Sequence, residues 1–177
     1  MRRKSCLLLG LSIMALAAAG CNPVSGVKRG FQELKGAEAK VAVIDDVGSG
    51  ELAAVSAVRV DRVVSDIGPL VPQEFVVATA SQLRTELSGM RSGGAGGPAL
   101  VSAKITYYQT GGTVRTLLGN EKMAIMHVSI VSDKGGQLGE FLVVVSSEAL
   151  RTTDNELASA LARGVAKYLK AAMPRTE

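Results

Sequence analysis

The sequence predicts an α/β fold of the α+β kind: one small domain with a mixed sheet of four to five strands and two helices packed on one face, preceded by a signal peptide and a flexible tether. Three observations carry this. Apolar and polar residues alternate over several stretches between Ala54 and Ser146, the period of strands with one wet face. Two further stretches, Pro72 to Gly89 and Thr153 to Ala172, repeat apolar residues at helical spacing. The chain has no Trp and only three Tyr and three Phe, so its core must be built from Val, Leu, Ile and Ala. That palette suits a sheet with helices packed on it. The division expected is 1–20 leader, 21–39 tether and 40–177 a single domain.

The leader has three parts. Met1-Arg2-Arg3-Lys4 is a basic start, Ser5 to Ala19 is apolar and uncharged, and small residues then lead into Cys21. This is the secretory pattern and is left out of the fold. The uncharged run to Cys21 falls short of the roughly 20 residues of a membrane span, which makes a permanent span marginal. Leu16 to Cys21 reads L-A-A-A-G-C and resembles the bacterial lipobox, usually Leu-Ala/Ser-Gly/Ala-Cys. It departs from that form by placing Ala18 where leucine is preferred. The resemblance implies cleavage between Gly20 and Cys21, diacylglycerol on the Cys21 thiol and an amide-linked acyl chain on its nitrogen. The alternative is an ordinary signal peptide cut near Ala19 or Gly20, leaving a free cysteine, which is reactive. Each buried methylene adds about 0.8 kcal/mol and one chain holds only marginally, so several chains are needed for a firm anchor. In lipoproteins similar to this one, aspartate after the cysteine favours inner-membrane retention. Asn22 stands there instead, which implies the outer membrane.

Removal of the leader also removes Cys6, and lipid would occupy Cys21. The domain is then expected to have no thiol, disulfide or cysteine metal site. The formal charge of +4 owes most of its excess to Arg2, Arg3 and Lys4, so the rest is close to neutral and gives no argument for nucleic acid.

Asn22 to Ala39 is rich in Gly and charge and reads as a tether, with Phe31 and Leu34 able to form one docking turn. Lys40 to Asp45 reads as a short buried strand broken by Gly48-Ser49-Gly50. Ala54 to Val64 reads as a strand with one wet face, ended by Ile67-Gly68-Pro69. Pro72 opens a helix, where its missing N–H has no partner to lose. Val76, Ala80, Leu83 and Leu87 form its apolar face, and Gly89 marks its end. Ser92 to Pro98 reads as a flexible loop. Its glycines are no phosphate cradle, because no Lys-Ser/Thr follows and the next element is a strand. Ala99 to Tyr108 presents Val101, Ala103, Ile105 and Tyr107 on one face. Lys122 to Val131 presents Ala124, Met126, Val128 and Ile130, with His127 and Ser129 opposite. Asp133-Lys134-Gly135-Gly136 is a hairpin turn whose glycines accept positive φ, and Leu138 to Ser146 returns with Phe141, Val143 and Val145 inward. Thr153 and Glu156 form a capping box for the last helix. Leu157, Leu161, Gly164 or Val165, Tyr168 and Ala172 give its apolar face, and Pro174 stops it.

No cluster of residues carries a catalytic reading. His127 is the only histidine, and a general base needs partners that are not adjacent to it in sequence. A hydrolase would require a pocket holding His127 with a carboxylate. Asp45-Asp46 lacks the spacing of a calcium loop and reads as a strand end. There is no G-x-S-x-G elbow. Arg115, between Gly111-Gly112 and Gly119, is the most suggestive polar residue, placed where a partner's carboxylate could approach. The plainer reading is a loop arginine bonding local carbonyls. The sequence assigns no catalytic residue, no metal and no cofactor.

The order of elements behind a lipobox resembles the small periplasmic α/β domain of the Tol–Pal propeller protein's amino-terminal domain, the curli-secretion lipoprotein and the lipoprotein activators of penicillin-binding proteins. The stretch from Ala103 to Gly139 is also similar to a family of uncharacterised bacterial lipoproteins. Their pattern is strand, Gly-x-x-x-Arg-x-x-x-Gly, strand, Asp-x-x-x-Gly. Gly111, Arg115, Gly119 and Asp133 match it, while Glu121 and Lys122 stand where further glycines are usual. No activity comes with this resemblance; Gly111, Arg115 and Gly119 are its candidate partner contacts.

Two functional expectations follow. One is a non-enzymatic binding or scaffold lipoprotein on the periplasmic face of the outer membrane, held through Cys21, with an envelope protein as partner at a sheet edge or the Arg115 loop. The other is an auxiliary subunit of an envelope transport, secretion or outer-membrane assembly machine. An enzyme is the third and weakest reading.

Overall fold

A computed structural model of the chain describes residues 37–46, 49–91, 93–109, 122–147 and 152–173. Contacts divide the chain into Met1–Leu34 and Lys35–Glu177, and every described residue belongs to the second unit. Gly20, Cys21, Asn22, Phe31 and Leu34 lie outside the described residues, as does Pro174.

Strands β1 (Glu38–Asp45), β2 (Val58–Ser65), β3 (Ala99–Gln109), β4 (Lys122–Ser132) and β5 (Gln137–Ser147) form one sheet in the order β1-β5-β4-β3-β2. The β2–β3 pair is parallel and the other pairs are antiparallel. Helix α1 (Ser49–Ala54) follows β1, α2 (Gln73–Leu87) joins β2 to β3, and α3 (Asp154–Ala172) follows β5. The parallel pair needs a crossover, and α2 is that crossover. This is the mixed sheet with two long helices on one face that alternation and helical spacing predict.

The core lies between the sheet and those helices. Val101, Ala103 and Ile105 of β3, Ala124, Met126, Val128 and Ile130 of β4, and Phe141, Val143 and Val145 of β5 are all fully buried. From the helices come Phe75, Leu83 and Leu87 of α2 and Leu157, Leu161 and Leu169 of α3. Removing a side chain of this size from water contributes about 1.5–3 kcal/mol. One aromatic pair serves each helix: Phe75 meets Tyr108 at 4.5 Å between centroids, and Phe141 meets Tyr168 at 4.3 Å. The α3 start is the expected capping box: Glu156 N–H donates to Thr153 Oγ1 at 3.3 Å and Thr153 N–H donates to Glu156 Oε2 at 2.6 Å. At its other end Met173 is extended, with φ −75° and ψ 136°, the conformation a following proline imposes.

Four expectations are corrected. Lys40 to Asp45 is no buried strand: β1 starts at Glu38 and is an edge strand, with Val43 49% and Ile44 57% exposed. A short apolar run reads alike at an edge or a centre, and only pairing separates them. Ala54 belongs to α1 instead of a strand, and Leu52 and Val55 bring that segment into the core. Tyr107 was expected inward, but the β3–β4 register shifts between Ile105 and Tyr107, which turns Tyr107 out and leaves Tyr108 packed on Phe75. The glycine-rich loop is tied down. Gly96 N–H donates to the Ala54 carbonyl at 2.9 Å, and Ser56 N–H donates to the Gly97 carbonyl at 3.2 Å. A Cβ on Gly96 would stand 2.4 Å from the Ala54 oxygen, so close backbone approach demands glycine here.

Candidate functional site

The residues that carried the strongest sequence signals, Cys21 with Gly20, and Arg115 with Gly111 and Gly119, lie outside the described residues. What the structure does place is the pair of strands flanking 110–121. Gln109 ends β3 and Lys122 begins β4, where Lys122 Nζ donates to the Thr152 carbonyl just before α3.

His127 has a partner that sequence reasoning did not assign. Its Nε2 contacts Glu140 Oε1 across the β4–β5 pair, and Gln137 Nε2 donates to Glu140 Oε2 at 3.0 Å. The signal was present in the hairpin. Pairing outward from the Asp133–Gly136 turn opposes Ser129 to Glu140 and Leu142 to His127, which makes Glu140 the diagonal neighbour of His127. The His127 and Glu140 side chains are 24% and 29% exposed, on the sheet face opposite the helices. Nucleophile activation needs a hydroxyl or thiol on the imidazole. Among the described residues none is hydrogen-bonded to His127, and Ser102 Oγ donates instead to Asp61 Oδ2 at 3.0 Å. The pair therefore ties two strands together. Asp46, considered for a cation, accepts from the Tyr168 hydroxyl at 2.7 Å. Among the described residues no three of His, Cys, Asp and Glu gather where they could hold a metal ion.

The Tyr108 hydroxyl is buried beside Asp154, and among the described residues it makes no well-aligned hydrogen bond. Burial first, then the poorly aligned hydrogen bond with the Asp154 side chain and the charges of Asp154 and Glu74, push its pKa well above the ordinary phenol range.

Two grooves are lined by described residues. One, of about 590 Å³, lies between the end of β2 and the start of α2 and is lined by Val, Pro, Gly, Ser65 and Gln73, with no titratable group. The other, of about 670 Å³, runs between the β1 edge and α3. Its floor is Ala39 and Val41 of β1 with Ala160 and Gly164 of α3; Arg163 and Lys167 stand on its helical side and Glu38 at the start of β1, so two cations face one carboxylate. At Gly164 α3 lies close to the sheet. A Cβ there would be 2.8 Å from Val143 Cγ1 and 2.9 Å from Ala39 Cβ. Arg163 and Lys167 are exposed, one helical turn apart, and neither forms an ion pair among the described residues. The sequence reading did not single out these two cations, and only the fold brings them to an edge strand.

No protein-family model matches the chain, and no curated protein matches it. Solved structures similar to it include two PelC dodecamers from Paraburkholderia phytofirmans. One is 10% identical with TM-score 0.43, covering 75% of this chain and 96% of that one. The other is 11% identical with TM-score 0.41, covering 72% and 96%. A candidate lipoprotein from Caulobacter crescentus is 11% identical with TM-score 0.38, covering 70% of this chain and 92% of that one. Likenesses at this level carry no argument about activity or assembly.

Proposed function

We propose that this chain is a lipid-anchored binding or scaffold protein of the bacterial envelope, without enzymatic activity, held on the periplasmic face of the outer membrane through Cys21. The observation that carries the reading is the uncharged leader ending in L-A-A-A-G-C. The folded unit supports it. Among the described residues the helix-backed sheet ends in one edge strand on each side, β1 and β2, which suits a protein that holds another protein. The His127–Glu140 pair, the one histidine–carboxylate contact among the described residues, has no hydroxyl on it and lines neither groove.

The anchor is tested by fractionation. The wild-type chain is expected to sediment with membranes and to accumulate as precursor under globomycin, while Cys21→Ser is released to the soluble fraction. Unaltered processing, or membrane sedimentation of Cys21→Ser, overturns the reading. Two open edges also favour a second reading, an auxiliary subunit of an envelope transport, secretion or assembly machine. Crosslinking from position 115 in intact cells separates the two. Recovery of several components of one machine supports the second, and recovery of a single partner the first.

A further inference from the structure

We propose that the β1 edge and its groove with α3 take an extended acidic segment of a partner protein, added to the sheet as a sixth strand. This rests on the binding reading above and names its site and the chemistry of its partner.

The two edges of the sheet are not alike. β2 is blunted as natural edges are: its register slips between Val60 and Arg62, and Arg59, Asp61 and Arg62 crowd its middle. β1 pairs regularly with β5 from Glu38 to Val43, and its register shifts only near its end. Lys40 is the only charge between Glu38 and Asp45, and Val43 and Ile44 are exposed. Among the described residues no strand lies on its outer side. A strand added there lies about 4.8 Å beyond β1, which places it alongside the groove.

The groove then selects what that strand carries. Its floor is cut from small side chains, Ala39 and Gly164 among them, and gives room to inward side chains of the incoming strand. Its helical side carries Arg163 and Lys167, separated by a rise of about 6 Å along α3. Side chains two apart on a strand are separated by about 6.7 Å. Carboxylates at alternate positions of an extended segment therefore match both cations at once.

Charge also separates the possible occupants. The chain's own tether, Asn22 to Gly36, carries Lys28, Arg29 and Lys35 against Glu33 and has the wrong sign. A second copy paired antiparallel through β1 would be related by a two-fold axis normal to the sheet. Both α3 helices would then lie on one face, with two Arg163–Lys167 pairs confronting each other. An acidic strand from another protein meets neither penalty, and Arg163 and Lys167 outnumber Glu38, the one carboxylate in the groove lining.

The probe is a short blocked peptide alternating valine and glutamate, added to the full chain in neutral detergent. Affinity is read by fluorescence anisotropy and strand addition by amide hydrogen exchange. Expected are binding that weakens with salt, slowed exchange of β1 amides, and a loss of about tenfold or more in the Arg163→Glu/Lys167→Glu form. Both positions are exposed, and an unchanged circular dichroism spectrum confirms that the variant is folded. The same peptide N-methylated at alternate residues should not bind, because it cannot supply the main-chain donors. The proposal is overturned by absence of binding at millimolar peptide, by equal binding of the N-methylated or a valine–lysine peptide, or by binding that leaves β1 exchange unchanged. Concentration-dependent protection of β1 without peptide assigns the edge to a second copy and also overturns it. None of these outcomes bears on the anchor, which Cys21→Ser fractionation reads independently.

Discussion

Tyr108 and Gly164 show how single positions carry the packing. The Tyr108 hydroxyl is out of water beside the Asp154 carboxylate, so its proton is held more tightly in the folded chain than in the unfolded one. A raised folded-state pKa means stability that is whole below the ordinary tyrosine pKa near 10 and falls as pH rises beyond it, because only the unfolded state ionises readily. Tyr108→Phe is therefore expected to flatten the fall in urea midpoint above pH 10. At neutral pH it should change stability by less than about 1 kcal/mol, since the buried hydroxyl has only a poorly aligned partner in Asp154. Gly164 works through space. Alanine there gains helix propensity of about 1 kcal/mol but drives its Cβ into Val143 and Ala39, and overpacking of this kind costs about 1–3 kcal/mol. The expected net effect of Gly164→Ala is a lower urea midpoint. Ala39→Gly in the same chain should recover part of it, because the Ala39 methyl is one of the two atoms met.

Elements hold their places through their ends as much as through their faces. Helix α3 starts with a reciprocal pair of side chain to backbone bonds between Thr153 and Glu156. Thr152 just before it accepts from Lys122, and its hydroxyl contacts Ser147. Thr153→Ala should cost about 1 kcal/mol, read as a shift in urea midpoint with an unchanged slope. Among the strands, β3 to β5 are fixed by a buried alternating face. A slip of one residue would expose Val101, Met126 or Phe141, so their register is strongly specified. β1 has no such protection along Val43 and Ile44, which are exposed.

The molecule as a whole joins a closed core to an open margin. Its two long helices cover one face of the sheet, and a cationic groove beside β1 is left where α3 and the edge strand meet. Anchoring would put this margin at a membrane, where partner concentration is high and a modest strand-addition affinity suffices. The Cys21→Ser chain should keep the urea midpoint of the wild-type domain while losing sedimentation, because Cys21 lies outside the folded unit beginning at Lys35.

Alternation and helical spacing were enough to locate β3, β4, β5, α2 and α3, since the period of buried residues is written into the chain locally. The capping box was equally local. The leader and Cys21 are read from the sequence alone, as no described residue reaches them. Three features came only from the folded chain: β1 as an edge, the bulge that exchanges Tyr107 for Tyr108, and the meeting of Arg163 and Lys167 with β1. Each depends on which distant segments become neighbours. Pairing and crossover geometry set that, and no window of adjacent residues contains it. The His127–Glu140 contact stands between the two cases, because a hairpin turn fixes its register from nearby sequence.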